Sequence, residues 1–198
     1  MIRTKIYHIA LALIVCGLFF SCRKPPEEED TEETVYNVWV LNEGLWHMNN
    51  SSITAYNTFT GQKRNDIYAH ANNNRQLGDI ANDMQRYGSK VYVALNMSSR
   101  LDILDAATGI SLRQIPLTDN GSARQPRELA CYDGKVYVCC FDGSVVKIDT
   151  TSLHIEATVK AGRNPDGICA VNNKLYVSNS GGLDNPNYDS TVSVFDLG

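Results

Sequence analysis

The sequence predicts an all-β protein made of small four-stranded antiparallel sheets, the blades of a β-propeller. The first observation is an alternating pattern of Lys, a branched apolar residue, Tyr and Val. It occurs at residues 90–93, 135–138 and 174–177, with a weaker copy at 37–40. The second is a tight-turn pair before each full copy, at residues 88–89, 133–134 and 172–173. Alternation predicts strands, and Gly, Asn and Asp pairs suit the positive φ angles of short hairpins. Recurrence of the unit every few tens of residues is typical of propellers and solenoids.

The repeated unit extends on both sides of this hairpin. A strand is predicted before each turn, at residues 84–87, 129–132 and 168–171. A third strand that ends in Asp or Asn follows at residues 53–57, 101–105, 145–149 and 192–196, and outer strands follow at 111–117 and 155–159. Four antiparallel strands in about forty residues are typical of a propeller blade. A β-sandwich is the alternative, but the in-register recurrence of the turns favours the propeller.

The predicted blades cover about residues 35–70, 78–118, 124–161 and 163–198, with three, four, four and three strands. A propeller avoids open edges when one terminus completes the blade of the other. Here the missing strands are a first strand and a fourth strand from different blades. We therefore expect an incomplete propeller of about four blades, with a closed four-bladed ring as the alternative.

Residues 1–21 have the pattern of a signal peptide. Arg3 and Lys5 precede an apolar run at residues 9–20, which is too short for an ordinary membrane-spanning helix. Cys22 follows the small residue Ser21, as required for lipoprotein cleavage and acylation of the thiol. A plain secretory signal with an incidental cysteine is the alternative.

Residues 22–34 are predicted to be a tether. Six of the seven residues at 27–33 are acidic, and such a segment cannot bury apolar surface. It is either a simple spacer or a surface-export signal of the kind that some Gram-negative lipoproteins carry close behind the lipidated cysteine. The whole chain has 18 basic and 22 acidic residues and no basic stripe, which argues against a nucleic-acid partner.

Four cysteines lie in the predicted propeller. Cys131, Cys139, Cys140 and Cys169 occupy small or apolar strand positions, so buried thiols are expected. A single disulfide across neighbouring strands is the alternative in an oxidising compartment. No Cys-x-x-Cys spacing or nearby His pair indicates a metal site.

The candidate ligand site lies where second strands end and first strands begin, because those loops share one face of a propeller and carry the insertions. At the channel mouth, Asn82, Arg127 and Asp166 occupy one aligned position and Asp83, Glu128 and Gly167 the next. The binding residues predicted from these loops and positions are Asn42, Glu43, Trp46, His47, Asn74, Arg75, Asn82, Asp83, Arg127, Glu128, Asp166, Asp184 and Tyr188. Structural hydrogen bonds between blades are the alternative role. Asp184, Asn187 and Asp189 are also oxygen donors of the kind that hold Ca²⁺, with loop hydrogen bonds as the alternative.

Two segments resemble a known family. The unit at residues 165–197 (PDGICAVNNKLYVSNSGG…STVSVFDL) resembles the YVTN-type repeat of YncE-like β-propellers. The segment at residues 38–57 (VWVLNEGLWHMNNSSITAYN) resembles the opening of the surface-lipoprotein branch of that family. The resemblance covers residues 35–198 and implies a propeller of about seven blades, of which this chain would be the N-terminal part. Some members of that branch capture vitamin B12 at the bacterial surface.

The resulting functional expectation is a non-enzymatic capture protein without a cofactor. It would be held at the outer membrane by a lipid on Cys22, exposed at the cell surface or, alternatively, facing the periplasm. Its ligand would be a corrinoid or a glycan, passed to a TonB-dependent outer-membrane transporter as the resemblance implies. A lyase- or hydrolase-like propeller enzyme and a protein-interaction scaffold are the alternatives. No nucleophile elbow, zinc-protease motif or phosphate loop is present.

Overall fold

A computed structural model describes residues 36–198. The predictions of a signal peptide, a lipidated Cys22 and an acidic tether lie outside the described residues. Within the described part of the chain, no helix is long and apolar enough to cross a membrane.

The described chain forms four small antiparallel sheets. Sheet one contains β1 (Val38–Asn42), β2 (Ser52–Tyr56) and β3 (Lys63–Arg64), and helix α1 (Ile67–Ala71) follows it. Sheet two contains β4 (Ala81–Tyr87), β5 (Lys90–Leu95), β6 (Arg100–Asp105) and β7 (Ser111–Pro116). The strands β8 (Thr118–Asp119) and β9 (Ser122–Ala123) form a separate hairpin. Sheet three contains β10 (Pro126–Tyr132), β11 (Lys135–Cys140), β12 (Ser144–Asp149) and β13 (Ile155–Lys160). Sheet four contains β14 (Pro165–Val171), β15 (Lys174–Asn179) and β16 (Val192–Asp196).

The all-β prediction is confirmed, and so is the division into antiparallel sheets of three and four strands. Three local features were not predicted. The first is the short helix α1, which is capped at its N-terminus by Asp66, whose carboxylate accepts a hydrogen bond from the Ala69 N–H. The hairpin β8–β9 and the shortness of β3 were also missed, because none of these segments belongs to the repeated pattern.

The acid or Asn that ends each third strand forms the next turn. The side chain of Asn57 accepts hydrogen bonds from the N–H groups two and three residues later, at 2.8 and 3.0 Å. Asp105 and Asp149 make the same pair of bonds in sheets two and three. Such side-chain turns occupy backbone N–H groups that the end of a strand leaves without a partner. The repeated residue is therefore a turn former.

Three apolar clusters lie between successive sheets. Val91 and Val93 of sheet two pack with Ile53 of sheet one, while Tyr92 of sheet two packs with Val136 of sheet three. Residues of sheets three and four form the third cluster, which includes Tyr137, Val145, Leu175 and Val177. The sheets therefore stack face to face in chain order. The first strands β4, β10 and β14, here called the inner strands, lie side by side across this stack.

The cysteines differ in their exposure. Cys139 and Cys140 are buried free thiols, as predicted, and burial raises the pKa of each to about 12. Cys131 is half-buried. The prediction of burial was wrong for Cys169, because its side chain lies on the exposed face of sheet four. All four are free thiols, so the alternative of a disulfide is not observed in the described chain.

Candidate ligand-binding site

The loops after second strands and the loops before first strands form one rim of the protein. The Ser51 N–H donates to the Gly78 carbonyl at 3.0 Å, which joins the first two of these loops. Within sheet three the Phe141 N–H donates to the Gln125 carbonyl at 2.9 Å, and within sheet four the Ser180 N–H donates to the Asn164 carbonyl at 3.1 Å. The loops that carry the predicted ligand residues are thus held together by backbone hydrogen bonds.

A cleft of about 390 Å³ opens beside this rim, between β1 and the inner strand β4. Its lining residues are Trp39, Leu41, Glu43, Ala81, Asn82, Asp83 and Met84. The set combines apolar side chains of sheets one and two with three of the predicted polar residues. Its apolar wall, formed by Trp39, Leu41 and Met84, is the smaller part of the accessible lining, which is mostly polar. The volume lies at the low end of the range of small-ligand sites.

A β-bulge recurs at the start of each inner strand. The register between β4 and β5 shifts between Ala81 and Asp83, so Asn82 is the extra residue. The same shift occurs around Arg127 in sheet three and at Asp166 in sheet four. A bulge redirects the side chain of the extra residue and locally ends strand pairing. The aligned position predicted from the sequence is therefore the bulge position of every inner strand.

Carboxylates next to these bulges connect neighbouring inner strands. Asp83 Oδ2 accepts a hydrogen bond from the Leu129 N–H at 2.9 Å, and the Gln85 side chain donates to the Leu129 carbonyl at 2.6 Å. Glu128, one sheet later, accepts a hydrogen bond from the Ile168 N–H. The predicted alternative of bonds between blades is thus observed for Asp83 and Glu128.

Glu128 lies in an acidic part of the site. Partial burial of its carboxyl group raises its pKa, and the nearby charges of Asp83 and Asp166 raise it further. The hydrogen bond from Ile168 and the charge of Arg127 oppose this shift. Arg127 itself pairs with Asp166, with Nε and a terminal nitrogen each 2.6 Å from Oδ1. The bulges of the inner strands and the residues next to them thus carry three carboxylates and one guanidinium.

Asn82 and Glu43 are the polar groups of the cleft that make the fewest internal bonds. Asn82 Oδ1 is buried and has no hydrogen-bond partner among residues 36–198. The backbone carbonyl of Glu43 accepts from the Ala81 N–H at 3.1 Å, while the Glu43 residue is exposed. These two side chains are available for an incoming polar group.

The loop at residues 43–51 carries the next predicted pair. The rings of Trp46 and His47 are 4.2 Å apart between centroids, tilted by 39°, and both residues are exposed. Asn42 is less available, because its amide donates to Thr54 at 3.0 Å and to the Ser52 hydroxyl at 3.1 Å. Trp46 and His47 are thus solvent-facing rings on the rim, whereas Asn42 connects β1 to β2.

The remaining predicted residues lie elsewhere on the rim and do not line the cleft. Arg75 packs over the Tyr68 ring, with its guanidinium 5.7 Å from the ring centroid. Asn74 has a left-handed conformation with φ of 58° and donates its N–H to the Ala69 carbonyl at 2.8 Å. The structure therefore places Asn74 and Arg75 beside helix α1.

The loop at residues 180–191 is held by hydrogen bonds and an ion pair. Arg163 donates to Asp184 at 3.2 Å and to the Asn187 carbonyl at 2.8 Å. Asp189 accepts from the Thr191 N–H at 3.0 Å. The loop oxygens considered for Ca²⁺ thus have donors within the chain, and no group of three or more His, Cys, Asp or Glu within residues 36–198 is arranged to hold a metal ion. Tyr188 is exposed on this loop.

Sequence reasoning missed the apolar wall of the cleft and the residue that holds the last loop. Trp39 belongs to the weakest copy of the repeat and Leu41 directly follows that copy, so a strand was predicted there and no ligand contact. Met84 begins a predicted strand, and Arg163 lies in a connection. The only available signal was Trp39, which stands where the other copies have Tyr.

Residues 36–183 match the family described as "Domain of unknown function (DUF5074)". The chain belongs to this family. No curated protein matches the sequence. The DUF5074 match spans all four sheets except β16, so the cleft and the inner strands lie within the family domain.

Solved structures share the fold at low sequence identity. Saccharomyces cerevisiae Sqt1 superposes with a TM-score of 0.57 at 15% identity, over 82% of this chain and 46% of that one. A chain of the Mitotic Checkpoint Complex gives 0.56 at 14% identity, over 90% and 57%. The computationally designed Ika4 protein gives 0.54 at 16% identity, over 74% and 80%. The two natural neighbours are propeller-like, and this chain spans 46–57% of their length. The DUF5074 chain thus has a β-propeller-like all-β fold.

Proposed function

We propose that this DUF5074 chain is a non-enzymatic, lipid-anchored surface protein that binds a small ligand on the loop rim of an incomplete propeller. The observation that carries the proposal is the cleft between β1 and β4, where Glu43 and Asn82 meet the apolar wall formed by Trp39 and Met84. The unpartnered Asn82 oxygen and the exposed Glu43 are suited to hydrogen-bond a polar ligand.

A corrinoid is the proposed ligand, and the resemblance to cobalamin-capturing surface lipoproteins is what supports it. A corrinoid is a large ring fringed with amides, and Glu43 and Asn82 are complementary to amide donors. The molecule is larger than the cleft, so only one edge would enter it. The rest would lie across the rim, where the exposed rings of Trp46 and His47 offer a stacking surface.

The proposed location is the outer membrane, facing the cell surface. The lipid on Cys22 and the acidic segment at residues 27–33 would hold the propeller away from the bilayer. A TonB-dependent transporter would receive the ligand. If acylation provides the anchor, Cys22→Ser should move the protein from the membrane fraction to the soluble fraction, while Cys169→Ser should not.

The test of the ligand is gel filtration of the full chain in detergent with cyanocobalamin, following the corrin absorbance across the protein peak. Circular dichroism on the same sample reports whether the chain is folded as β-sheet. Co-migration of corrin with folded protein is expected. A folded protein that carries no corrin contradicts the corrinoid proposal, and conversion of the ligand by the protein contradicts the non-enzymatic one.

The site itself is tested by variants. Asn82→Ala and Glu43→Ala should each weaken cyanocobalamin binding about tenfold, since loss of one buried polar contact costs about 1.4 kcal/mol. Asn65→Ala is the matched control, because Asn65 lies beyond β3, at the outer side of sheet one. Equal affinity of all three variants and the wild type would place the ligand outside the cleft.

A further inference from the structure

The charged residues that line the cleft between β1 and β4 have one sign. They are Glu43 and Asp83, and none of the described residues that line the cleft is Lys, Arg or His. Asp83 accepts hydrogen bonds from the N–H groups of Leu129 at 2.9 Å and Met84 at 2.7 Å. These bonds orient the carboxylate, but neutral N–H donors leave its negative charge in place. The described lining is therefore acidic and has no compensating cation.

Negative charge also outweighs positive charge on the neighbouring inner strand β10. Arg127, at the bulge of sheet three, already pairs with Asp166, with two of its nitrogens each 2.6 Å from Oδ1. Burial raises the pKa of Glu128, and the charges of Asp83 and Asp166 raise it further. Among the effects on this pKa, the opposing charge of Arg127 is the weakest. An anion that approaches Asp83 would therefore meet further negative charge behind it.

A buried acceptor in the same cleft lacks a donor. Asn82 Oδ1 is buried and has no hydrogen-bond partner among residues 36–198. An amide oxygen only accepts hydrogen bonds, so an N–H or O–H group must complete this site. Leaving such an atom unpaired costs free energy, which an incoming donor recovers. The exposed carboxylate of Glu43 is a second acceptor in the lining.

The apolar part of the lining limits what can carry that donor. Trp39 and Leu41 of β1 and Met84 of β4 form this part. A small hydrated ion gains nothing from such a wall, whereas an apolar body packs on it and is removed from water. The cleft therefore suits a donor group that is attached to an apolar body.

We propose that the cleft binds an N–H donor group on an apolar body and rejects a carboxylate. The donor is an ammonium, an amidinium or a primary amide. Its N–H groups bond to Asn82 Oδ1 and to the Glu43 carboxylate, and its apolar body packs on Trp39. The inference rests on the proposed function in taking this cleft as the ligand site, but it does not require that the ligand be a corrinoid. For a corrinoid, the entering group is a side-chain amide.

The test uses three probes that share one ring: benzamidine, a cation; benzamide, its neutral counterpart; and benzoate, an anion. Ligand-observed NMR titration of the full chain in detergent gives their dissociation constants, with detergent alone as the blank. Benzamidine should bind at least about tenfold more tightly than benzoate, with benzamide between them, because the charge of the lining attracts one and repels the other. Added salt should reduce the difference. Equal affinities, or tighter binding of benzoate, would overturn the proposal.

Two variants assign this preference to the cleft. Glu43→Lys changes an exposed side chain of the lining and should abolish the preference for benzamidine. Asp133→Asn is the matched control, since it removes an exposed acid in the turn after β10, at the end of sheet three away from the rim. Asn accepts the left-handed conformation of that residue, whose φ is 45°. If Glu43→Lys kept the wild-type preference, the selectivity would arise elsewhere and the proposal would fail.

Cyanocobalamin titrated into the same samples separates this inference from the corrinoid proposal. Probes that bind in the expected order to a folded chain without affinity for cyanocobalamin would support the inference and contradict the corrinoid. Cyanocobalamin binding without discrimination among the probes would support the corrinoid and overturn the inference. Absence of binding by all three probes would also overturn it.

Discussion

The N–H of Leu129 on β10 donates to the Asp83 carboxylate on β4 at 2.9 Å. The bond joins sheets two and three at their inner edges, next to the cleft. Glu128 makes the corresponding bond to Ile168 of sheet four. Gly167 stands at this position in sheet four, so the series of carboxylates ends there. These bonds give the inner strands a fixed relative position that the apolar clusters, which are non-directional, do not specify.

Asp83→Ala should therefore destabilise the protein by about 1–3 kcal/mol, since it leaves the Leu129 N–H without a charged acceptor. The free energy of unfolding in urea measures this. Glu43→Ala is the control, because Glu43 is exposed and its substitution should change stability by less than about 0.5 kcal/mol. Equal stability of the two variants would show that the Asp83 bond does not hold the inner strands together.

A buried network around Asp102 provides a second prediction. Its carboxylate accepts hydrogen bonds from the Tyr68 hydroxyl at 3.0 Å, from Ser111 at 2.6 Å and from Gln114 at 2.8 Å. Tyr68→Phe removes one donor from a buried charge and should cost about 1.5–3 kcal/mol in urea unfolding. Tyr188→Phe, the same change at an exposed ring, should cost nothing measurable. If Tyr68→Phe left the free energy of unfolding unchanged, the hydrogen bonds to Asp102 would not be important for stability.

The acid sensitivity of sheet three should depend on Asp149. The Lys135 ammonium, 2.7 Å from its carboxylate, holds the pKa of Asp149 well below its usual range, and the N–H of Ser152 lowers it further. A carboxyl group whose pKa is lower in the folded state binds fewer protons in the folded state than in the unfolded state. Its stabilisation is therefore present above the unfolded pKa of about 3.9 and is lost as the pH falls towards the folded value.

With Asp149→Asn, the protein should lose less stability than the wild type as the pH falls. Acid unfolding followed by circular dichroism measures this. Lys135→Gln should have a similar effect, because it removes the partner that lowers the pKa. An acid transition of the same steepness in the wild type and both variants would contradict the assignment.

The contribution of Glu128 to stability should depend on pH in the opposite sense to that of Asp149. Burial and the neighbouring acids raise its pKa, so the folded state disfavours its ionised form. Stability contributed by this group falls as the pH rises from the unfolded pKa of about 4.3 to the folded value. Glu128→Gln keeps an acceptor for the Ile168 N–H and removes the charge, so it should raise the urea midpoint at neutral pH. A lower midpoint would mean that attraction to Arg127 outweighs the repulsion.

The strands of the repeated unit were predictable because the residues that form its turns lie within the unit itself. Alternation, a two-residue turn and a terminal Asp or Asn are local features, and local hydrogen bonds such as those of Asn57 enforce them. Helix α1 and hairpin β8–β9 escaped prediction since both lie in connections that vary between units. Exposure of Cys169 escaped prediction because it depends on whether another sheet covers sheet four.

For the site, aligning the repeated units within the chain identified the shared position of Asn82, Arg127 and Asp166, but it did not give the geometry at that position. A bulge arises from the pairing of two strands, and only the fold decides that Asn82 lines a cleft while Arg127 pairs with Asp166. The apolar wall of Trp39 and Met84 likewise comes from two sheets distant in sequence. The sequence by itself determined the strands and turns of the repeated unit, since these follow from residues close together in the chain. Tertiary structure alone decided which faces stay open and which polar groups meet, because packing brings together residues that no local pattern relates.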